Sequence, residues 1–139
     1  MKNCLFCNVA NNKEKSFGVY EDKFIKAFLD INPASEGHTL VIPKKHYKDI
    51  FEVDPKILSN LILVVKKLSL KYKEILNVEG VNIISSSGKA AQQDVLHLHF
   101  HIIPRKSSDK IDFKYETLKE VTTRLPETAK MIREALKES

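Results

Sequence analysis

The chain has 139 residues, enough for one domain with an ordinary hydrophobic core, and its 42% hydrophobic and 29% charged residues are typical of a globular protein. No apolar run approaches the roughly 20 residues of a membrane span, so we expect no membrane partner. The net charge of +5 favours an anionic ligand, but no basic segment with interleaved aromatic residues indicates nucleic-acid binding.

The N-terminal segment carries both cysteines, Cys4 and Cys7, within residues 4–10, where we expect one short helical turn. The segment lacks the apolar core of a signal peptide, so we expect a cytoplasmic protein. In that compartment a C-x-x-C motif favours metal or redox chemistry over a structural disulfide. A redox dithiol belongs near a βαβ unit, which is not predicted here, whereas two histidines would complete a closed zinc site. Five histidines are present, so the motif alone does not select the other two ligands.

Short strands are predicted in the next part of the chain. Residues 17–21 and 24–29 form a hairpin with a tight link, and a loop with Asn-Pro and Gly follows. Residues 39–42 are a buried strand that Pro43 ends.

One long helix is predicted after these strands. Asp54 is a good N-cap, Pro55 suits the first helical position, and the helix ends near Asn77. Apolar residues recur at helical spacing and predict one broad face packed on a sheet. These residues are Ile57, Leu58, Leu61, Ile62, Val64, Val65, Leu68, Tyr72, Ile75 and Leu76.

The rest of the chain adds two strands and a second helix. Residues 81–85 form a strand, residues 86–93 a polar loop of mostly small side chains, and Pro126 opens a helix near the end of a charged tail. Strands in adjacent runs favour an α+β fold with an antiparallel sheet of about five strands, one long helix and a C-terminal helix. We expect a single domain over residues 1–139.

The final strand contains three histidines at every second position, His97, His99 and His101. This alternation predicts that the imidazoles line one face, while the apolar residues between them pack into the other. Three imidazoles in register are poor core filling, because each has two polar nitrogens that need partners. A neutral imidazole is a competent nucleophile toward phosphorus at pH 7, and its neighbours can stabilise the developing charge.

The segment from His97 to Ile103 resembles the signature of the histidine triad (HIT) family of nucleotide hydrolases and transferases, in which three histidines alternate with apolar residues. The chain is most similar to the bacterial-type branch related to the adenosine phosphoramidases. The resemblance covers residues 4–105 and leaves residues 106–139 as a C-terminal extension. It extends over four further stretches, Phe28–Pro33, Gly37–Lys44, Gly88–Gln93 and Pro104–Arg105.

The resemblance implies a hydrolase that acts on adenosine phosphoramidates or dinucleoside polyphosphates. His99 would be the nucleophile that attacks the α-phosphorus, and His101 and His38 would contact the phosphate as further catalytic residues. Asp30 would bind the ribose of the purine nucleotide. The remaining nucleotide-binding residues would be Gln93 and Ser86 near the phosphate and Phe6, Phe28 and Ile31 around the base.

The resemblance also implies a structural zinc ion and a homodimer. Zinc-binding relatives place a histidine after the Pro-Lys turn and use the first histidine of the triad. The ligands here would therefore be Cys4, Cys7, His46 and His97.

The sequence departs from the family pattern at Ser86, Gln92 and Asp94, where relatives commonly carry Asn, Gly, and Ser or Thr. Because of these departures, the resemblance does not identify the leaving group of the substrate. Two other functions also remain open: a hydrolase in which the triad binds a catalytic zinc ion, and a non-enzymatic module that binds a nucleotide or a partner.

Overall fold

A five-stranded antiparallel sheet organises the fold, and its strands lie side by side in the order Gly18–Glu21, Ile25–Leu29, Thr39–Pro43, Phe100–Arg105 and Gly80–Ile84. The computed structural model describes residues 3–138, so Met1, Lys2 and Ser139 lie outside its description. The sheet and its helices confirm the predicted α+β class. In chain order the elements are α1 (Leu5–Ala10), β1 (Gly18–Glu21), β2 (Ile25–Leu29), β3 (Thr39–Pro43), α2 (Pro55–Ile75), β4 (Gly80–Ile84), β5 (Phe100–Arg105), α3 (Lys119–Thr122) and α4 (Leu125–Lys137).

The main core lies between α2 and one face of the sheet. Asp54 caps α2 as predicted, because its carboxylate accepts hydrogen bonds from the first-turn backbone N–H groups. Leu61, at the centre of the buried stripe, is fully buried. Ile62 and Ile75 are exposed, in contrast to the prediction. Ile62 follows Leu61 by about 100° around the helix, which turns it away from the sheet.

The opposite face of the sheet carries a smaller apolar cluster beneath α1. Phe6, Val9 and Ala10 of this short helix pack with residues of β2 and β3. The buried ammonium of Lys26 donates a hydrogen bond to the carbonyl of Val9 at 2.9 Å. The helix that carries the C-x-x-C motif is thereby fixed on the face where the histidines emerge.

The histidine segment is only partly a strand. β5 begins at Phe100, because the preceding residues bond to the loop after β3 rather than to the sheet. The backbone N–H of Leu98 donates to the carbonyl of Tyr47 at 2.7 Å. The predicted alternation of faces is nevertheless confirmed: Leu98 and Ile102 are buried in the core below α2, whereas His99 contacts Phe6 on the other face.

The chain divides into two compact units, one through Asp109 and one from Lys110 onward. The first contains the sheet, α1 and α2, and the second contains α3 and α4. Within residues 3–138, no helix has both the length and the apolar content needed to cross a bilayer.

Candidate active site and metal centre

The structure divides the five histidines between two neighbouring sites. His46 and His97 lie beside the two cysteines, whereas His99 and His101 line a cavity and His38 contacts His101. Within residues 3–138, no potential metal-binding group contains all three histidines of the triad.

The metal centre joins three separate parts of the chain. Cys4 and Cys7 flank the start of α1, His46 lies in the loop after β3, and His97 precedes β5. The Sγ of Cys7 is 3.3 Å from Nδ1 of His46 and 3.5 Å from Nδ1 of His97. The Sγ of Cys4 is 3.3 Å from Nδ1 of His97, and the two Nδ1 atoms are 3.2 Å apart.

These distances fit a tetrahedral ion. Zinc bonds of about 2.0–2.1 Å to nitrogen and about 2.3 Å to sulfur place ligand atoms about 3.3–3.8 Å apart. The Nε2–H of His97 donates to the carbonyl of Pro43 at 2.8 Å, which leaves the Nδ1 lone pair directed at the thiols. The residues therefore fit zinc in ligand type, spacing and tautomer.

The electrostatics of this cluster also suit a cation. Burial, together with the hydrogen bond and charge of Cys4, raises the pKa of Cys7 to about 11. Burial lowers the pKa of His97 to about 4, against the effect of its bond to Pro43, so the ring is neutral near pH 7. A cation among these ligands would stabilise the thiolates that burial disfavours.

The second site is a cavity of about 210 Å³ beside the remaining histidines. Phe6 and Phe28 meet edge to face, with ring centroids 5.6 Å apart, and form an apolar wall with Ile31 at its mouth. Asp30, His99 and His101 provide polar groups. An apolar slot with convergent polar groups at one end is the form expected of a small-molecule site.

Backbone contacts determine which nitrogen of His99 carries a proton. Its Nδ1 is 2.7 Å from the carbonyl oxygen of His97, and an oxygen can only accept, so Nδ1–H is the donor. The neutral ring therefore has its free lone pair on Nε2. The hydroxyl of Ser85 donates to the carbonyl of His99 at 2.8 Å and holds the backbone at this point.

A second chain of hydrogen bonds determines the tautomer of His101. The backbone N–H of Ala34 donates to Nδ1 of His38 at 2.9 Å, so the proton of neutral His38 is on Nε2. That Nε2 is 2.9 Å from Nδ1 of His101 and 3.5 Å from a carboxylate oxygen of Asp30. His101 thus accepts at Nδ1 and keeps its proton on Nε2, where it can serve as a donor.

Burial lowers the pKa of both His38 and His101, and Asp30 opposes this shift in each case. Nearby histidines lower the pKa of His101 further. Both rings are consequently neutral near pH 7. Their hydrogen bond requires this, because only one proton can lie between Nε2 of His38 and Nδ1 of His101.

Three predicted nucleotide-binding residues do not line the cavity: His38, Gln93 and Ser86. His38 stands behind His101. The Gln93 amide donates to the carbonyls of Lys48 and Val95 at 2.7 and 3.0 Å and accepts from the backbone N–H of Gly88 at 2.9 Å. Its amide is therefore engaged in loop contacts, and the phosphate role of Gln93 and Ser86 stays a prediction.

The structure shows the surroundings of two departures from the family pattern, Gln92 and Asp94. Gln92 has a left-handed backbone with φ of 66°, so it adopts angles that glycine takes at lower cost. Asp94 lines the cavity, with a carboxylate oxygen 3.5 Å from Nε2 of His99. The structure also adds Glu14, Lys15 and Ser16 to the lining, and no sequence motif marks this connection between α1 and β1.

Comparison with known proteins identifies similar chains. A family model described as the HIT domain matches residues 11–108, which excludes both cysteines. The adenosine 5′-monophosphoramidase of Saccharomyces cerevisiae is 36% identical over 103 residues, covering 74% of this chain and 63% of the yeast protein.

Two crystal structures are similar over nearly the whole chain. A protein of Streptococcus mutans superposes with a TM-score of 0.90 at 36% identity, covering 98% of this chain and 87% of that one. A Zn-bound histidine triad family protein of Mycobacterium smegmatis superposes with a TM-score of 0.77 at 33% identity, covering 97% and 98% of the two chains.

Proposed function

Because this chain belongs to the HIT domain family, we propose that it is a purine nucleotide hydrolase that acts through a covalent nucleotidyl-histidine intermediate on His99. The observation that carries the proposal is the tautomer of His99. Its Nδ1–H donates to the carbonyl of His97 at 2.7 Å, so the nucleophilic lone pair is on Nε2. The name of the yeast relative supports an adenosine phosphoramidate as one substrate.

The reaction has two displacement steps. Nε2 of His99 attacks the α-phosphorus, and the bond to the leaving group breaks with its electron pair on the leaving atom. Water then attacks the nucleotidyl-histidine, which releases the nucleoside monophosphate and restores the neutral ring.

The neighbouring residues bind and orient the nucleotide. His101 donates from Nε2 to a phosphate oxygen as negative charge develops there, and His38 fixes the tautomer of His101 from behind it. Asp30 accepts hydrogen bonds from the ribose hydroxyls. The base lies against the apolar wall formed by Phe6 and Phe28, which Ile31 extends at the mouth.

We also propose that the protein binds a structural zinc ion, which would be held by Cys4, Cys7, His46 and His97. The zinc bound by the similar protein of Mycobacterium smegmatis supports this assignment, as does the donor set of this chain. When bound, the ion cross-links α1 to the segment before β5. The position of His97 then fixes the carbonyl that orients His99.

We further propose that residues 4–105 are the catalytic core of a single-domain chain that acts as a homodimer. Apolar side chains exposed on α2 support an oligomer, namely Ile62, Leu63, Leu70 and Ile75. The cytoplasmic location expected from the sequence stays a prediction.

The test is release of AMP from an adenosine 5′-phosphoramidate and from a diadenosine polyphosphate, with wild type and His99→Ala compared. We expect His99→Ala to lose activity by about 10⁴-fold or more, as removal of a nucleophile does. Rapid acid quenching of wild type, followed by mass spectrometry, should detect one adenylyl group on His99. AMP binding by His99→Ala provides the control for folding.

Addition of a chelator separates the alternatives. Reversible loss of turnover on brief chelation, with activity retained by His99→Ala, would indicate catalytic zinc. AMP binding without turnover by wild type would indicate a binding module. Either result would refute the covalent mechanism.

A further inference from the structure

The connection between α1 and β1 adds three polar side chains to the lining of the proposed nucleotide pocket, those of Glu14, Lys15 and Ser16. The proposed function gives them no role, because its base-binding wall is apolar. Glu14 and Lys15 are exposed, and among the residues that the structure describes neither side chain has a hydrogen-bond or ion-pair partner. A charged acceptor and a charged donor are therefore available to a ligand on this side of the pocket.

The register of the sheet shows how far this connection lies from the catalytic histidines. On the face beneath α1, His101 is opposite Leu40, and Leu40 is opposite Phe28. Phe28 is in turn opposite Gly18, two residues after Ser16. Neighbouring strands are about 4.8 Å apart, so the strand that follows the connection lies about 14 Å from the strand of His101. The histidines and the connection are thus on opposite sides of the pocket.

Contacts at both ends hold this connection in place. At its start, the buried ammonium of Lys26 donates to Oδ1 of Asn12 at 2.8 Å. At its end, the backbone N–H of Leu29 donates to the carbonyl of Phe17 at 2.9 Å. The residues between these two anchors therefore have a defined position beside the pocket.

A nucleotide in the proposed binding mode extends from the histidines toward this connection. Its α-phosphorus is at His99 and its ribose is at Asp30, so the base lies beyond the ribose along the apolar wall. The edge of a purine that is farthest from the ribose is its Watson–Crick edge. That edge then meets Glu14 and Lys15.

Guanine complements these two charges better than adenine does. Its Watson–Crick edge carries two adjacent donors, N1–H and the N2 amino group, which one carboxylate can accept together. The acceptor O6 lies beside them and suits an ammonium donor. Adenine instead has a lone pair on N1, which repels a carboxylate. The charges of the connection therefore favour guanine.

Given the proposed nucleotide hydrolase function, on which this inference rests, we propose that Glu14 and Lys15 bind the Watson–Crick edge of the base and make guanosine nucleotides the preferred substrates. Glu14 accepts from N1–H and the N2 amino group, and Lys15 donates to O6. Adenosine nucleotides are substrates with a lower kcat/KM, because the apolar wall binds either purine. Both residues determine specificity without touching the reacting atoms.

The experiment measures kcat/KM for the 5′-phosphoramidates of guanosine, inosine and adenosine. Inosine has the N1–H and O6 of guanosine but lacks the N2 amino group. Glu14→Gln replaces the carboxylate with an amide of the same shape, and Lys15→Met removes the ammonium. Lys13→Met is the matched control for the lysine, because Lys13 lies in the same connection and does not line the pocket. Glu74→Gln, on α2, is the control for loss of an exposed carboxylate.

We expect wild type to prefer guanosine over adenosine by about tenfold, the lower end of the effect of a hydrogen bond to a charged group, because water competes at an exposed carboxylate. Inosine should lie between them, and Glu14→Gln should remove most of the preference. Lys15→Met should lower kcat/KM for guanosine and inosine, which share O6, and leave adenosine unchanged. Both controls should keep the wild-type preference.

Three results would overturn the inference. The first is equal kcat/KM for guanosine and adenosine in wild type, and the second is an unchanged preference in Glu14→Gln. The third is loss of the preference in Lys13→Met, because the net charge of the connection, rather than contact with the base, would then determine specificity.

The two proposals fail in different ways. If wild type releases a nucleoside monophosphate from none of the three substrates, the hydrolase function is wrong and this inference falls with it. If wild type hydrolyses them through His99 without a preference that depends on Glu14, the hydrolase function stands and this inference alone is overturned.

Discussion

At the scale of single residues, two backbone groups determine the protonation pattern of the candidate active site. The carbonyl of His97 requires a proton on Nδ1 of His99, and the N–H of Ala34 requires a lone pair on Nδ1 of His38. From these two contacts follow a free lone pair on His99 and a donor on His101. Elements of the fold, rather than solvent, thus set the chemistry of the three imidazoles.

The neutral His38–His101 pair predicts a specific dependence of stability on pH. Both pKa values are lowered, so the unfolded state binds protons more readily than the folded state between the ordinary pKa of about 6.5 and the lower folded values. Their contribution to the free energy of unfolding is therefore complete above about pH 6.5 and is lost as pH falls below it. The charged groups that face the pair, Asp30 and Asp94, weaken this dependence because they favour the protonated rings.

We expect His38→Gln to make the dependence shallower between pH 7 and pH 5.5. Chemical denaturation at a fixed zinc concentration, measured at several pH values, tests this. The loss of a buried contact lowers stability at every pH, so the slope and not the absolute value is informative. An unchanged slope would show that folding does not lower the pKa of His38.

At the scale of elements, the turn before β3 places His38. Gly37 has φ of 90°, and a Cβ added there would be 2.7 Å from Leu76 Cδ1 and 3.2 Å from Pro104 Cγ. The hydroxyl of Thr39 donates to the carbonyl of Gly37 at 2.7 Å and contacts the hydroxyl of Tyr72 on α2 at 2.6 Å. The position of His38 is therefore tied to the packing of α2 on the sheet.

Replacement of Gly37 by Ala should destabilise the protein by about 1–3 kcal/mol, the cost of a non-glycine residue in a strained conformation. Gly80→Ala is the control, because Gly80 has an ordinary φ and nothing within 4 Å of a new Cβ. Urea denaturation gives both free energies of unfolding. Equal effects of the two substitutions would mean that the turn tolerates a side chain and does not constrain His38.

At the scale of the whole molecule, the metal centre connects segments that are far apart in sequence. Cys4 and His97 are separated by 93 positions, yet their ligand atoms lie 3.3 Å apart. An ion at this centre would hold α1, and with it Phe6, against the segment that carries His99. Stability and the shape of the nucleotide pocket should therefore depend on the same ion.

Removal of zinc should lower the free energy of unfolding by about 2–4 kcal/mol, as loss of a tightly bound ligand does. Thermal unfolding before and after prolonged chelation measures the change, and one equivalent of Zn²⁺ should reverse it. Cys7→Ser should be less stable than wild type and insensitive to the chelator. Asp30→Asn is the control, because Asp30, His38 and His101 form the other group of potential ligands in residues 3–138. If the chelator response disappeared in Asp30→Asn, the metal would be bound by Asp30, His38 and His101 and not by the two cysteines and their histidines.

Local sequence patterns were sufficient for much of the fold. The Asp54 cap, the proline after it and the helical spacing of apolar residues predicted α2, because each acts within one or two turns. The alternation of histidines with apolar residues predicted which side chains before and within β5 face the core. In an extended chain, successive side chains point to opposite faces, so the direction of each depends only on whether its position is odd or even. Exposure of Ile62 was not predicted, because the width of a buried stripe depends on what packs against it.

The sequence by itself determined the antiparallel α+β class. It also identified the five histidines and two cysteines as the candidate catalytic and metal-binding residues. The family resemblance predicted how those residues divide into two sites, but only the tertiary structure shows the contacts, between segments up to 93 positions apart, on which that grouping depends. The tertiary structure alone also shows that Gln93 joins two loops and that Asp94 lines the cavity beside His99. Such contacts leave no local signal in the sequence, since hydrogen bonding and burial depend on neighbours that folding supplies.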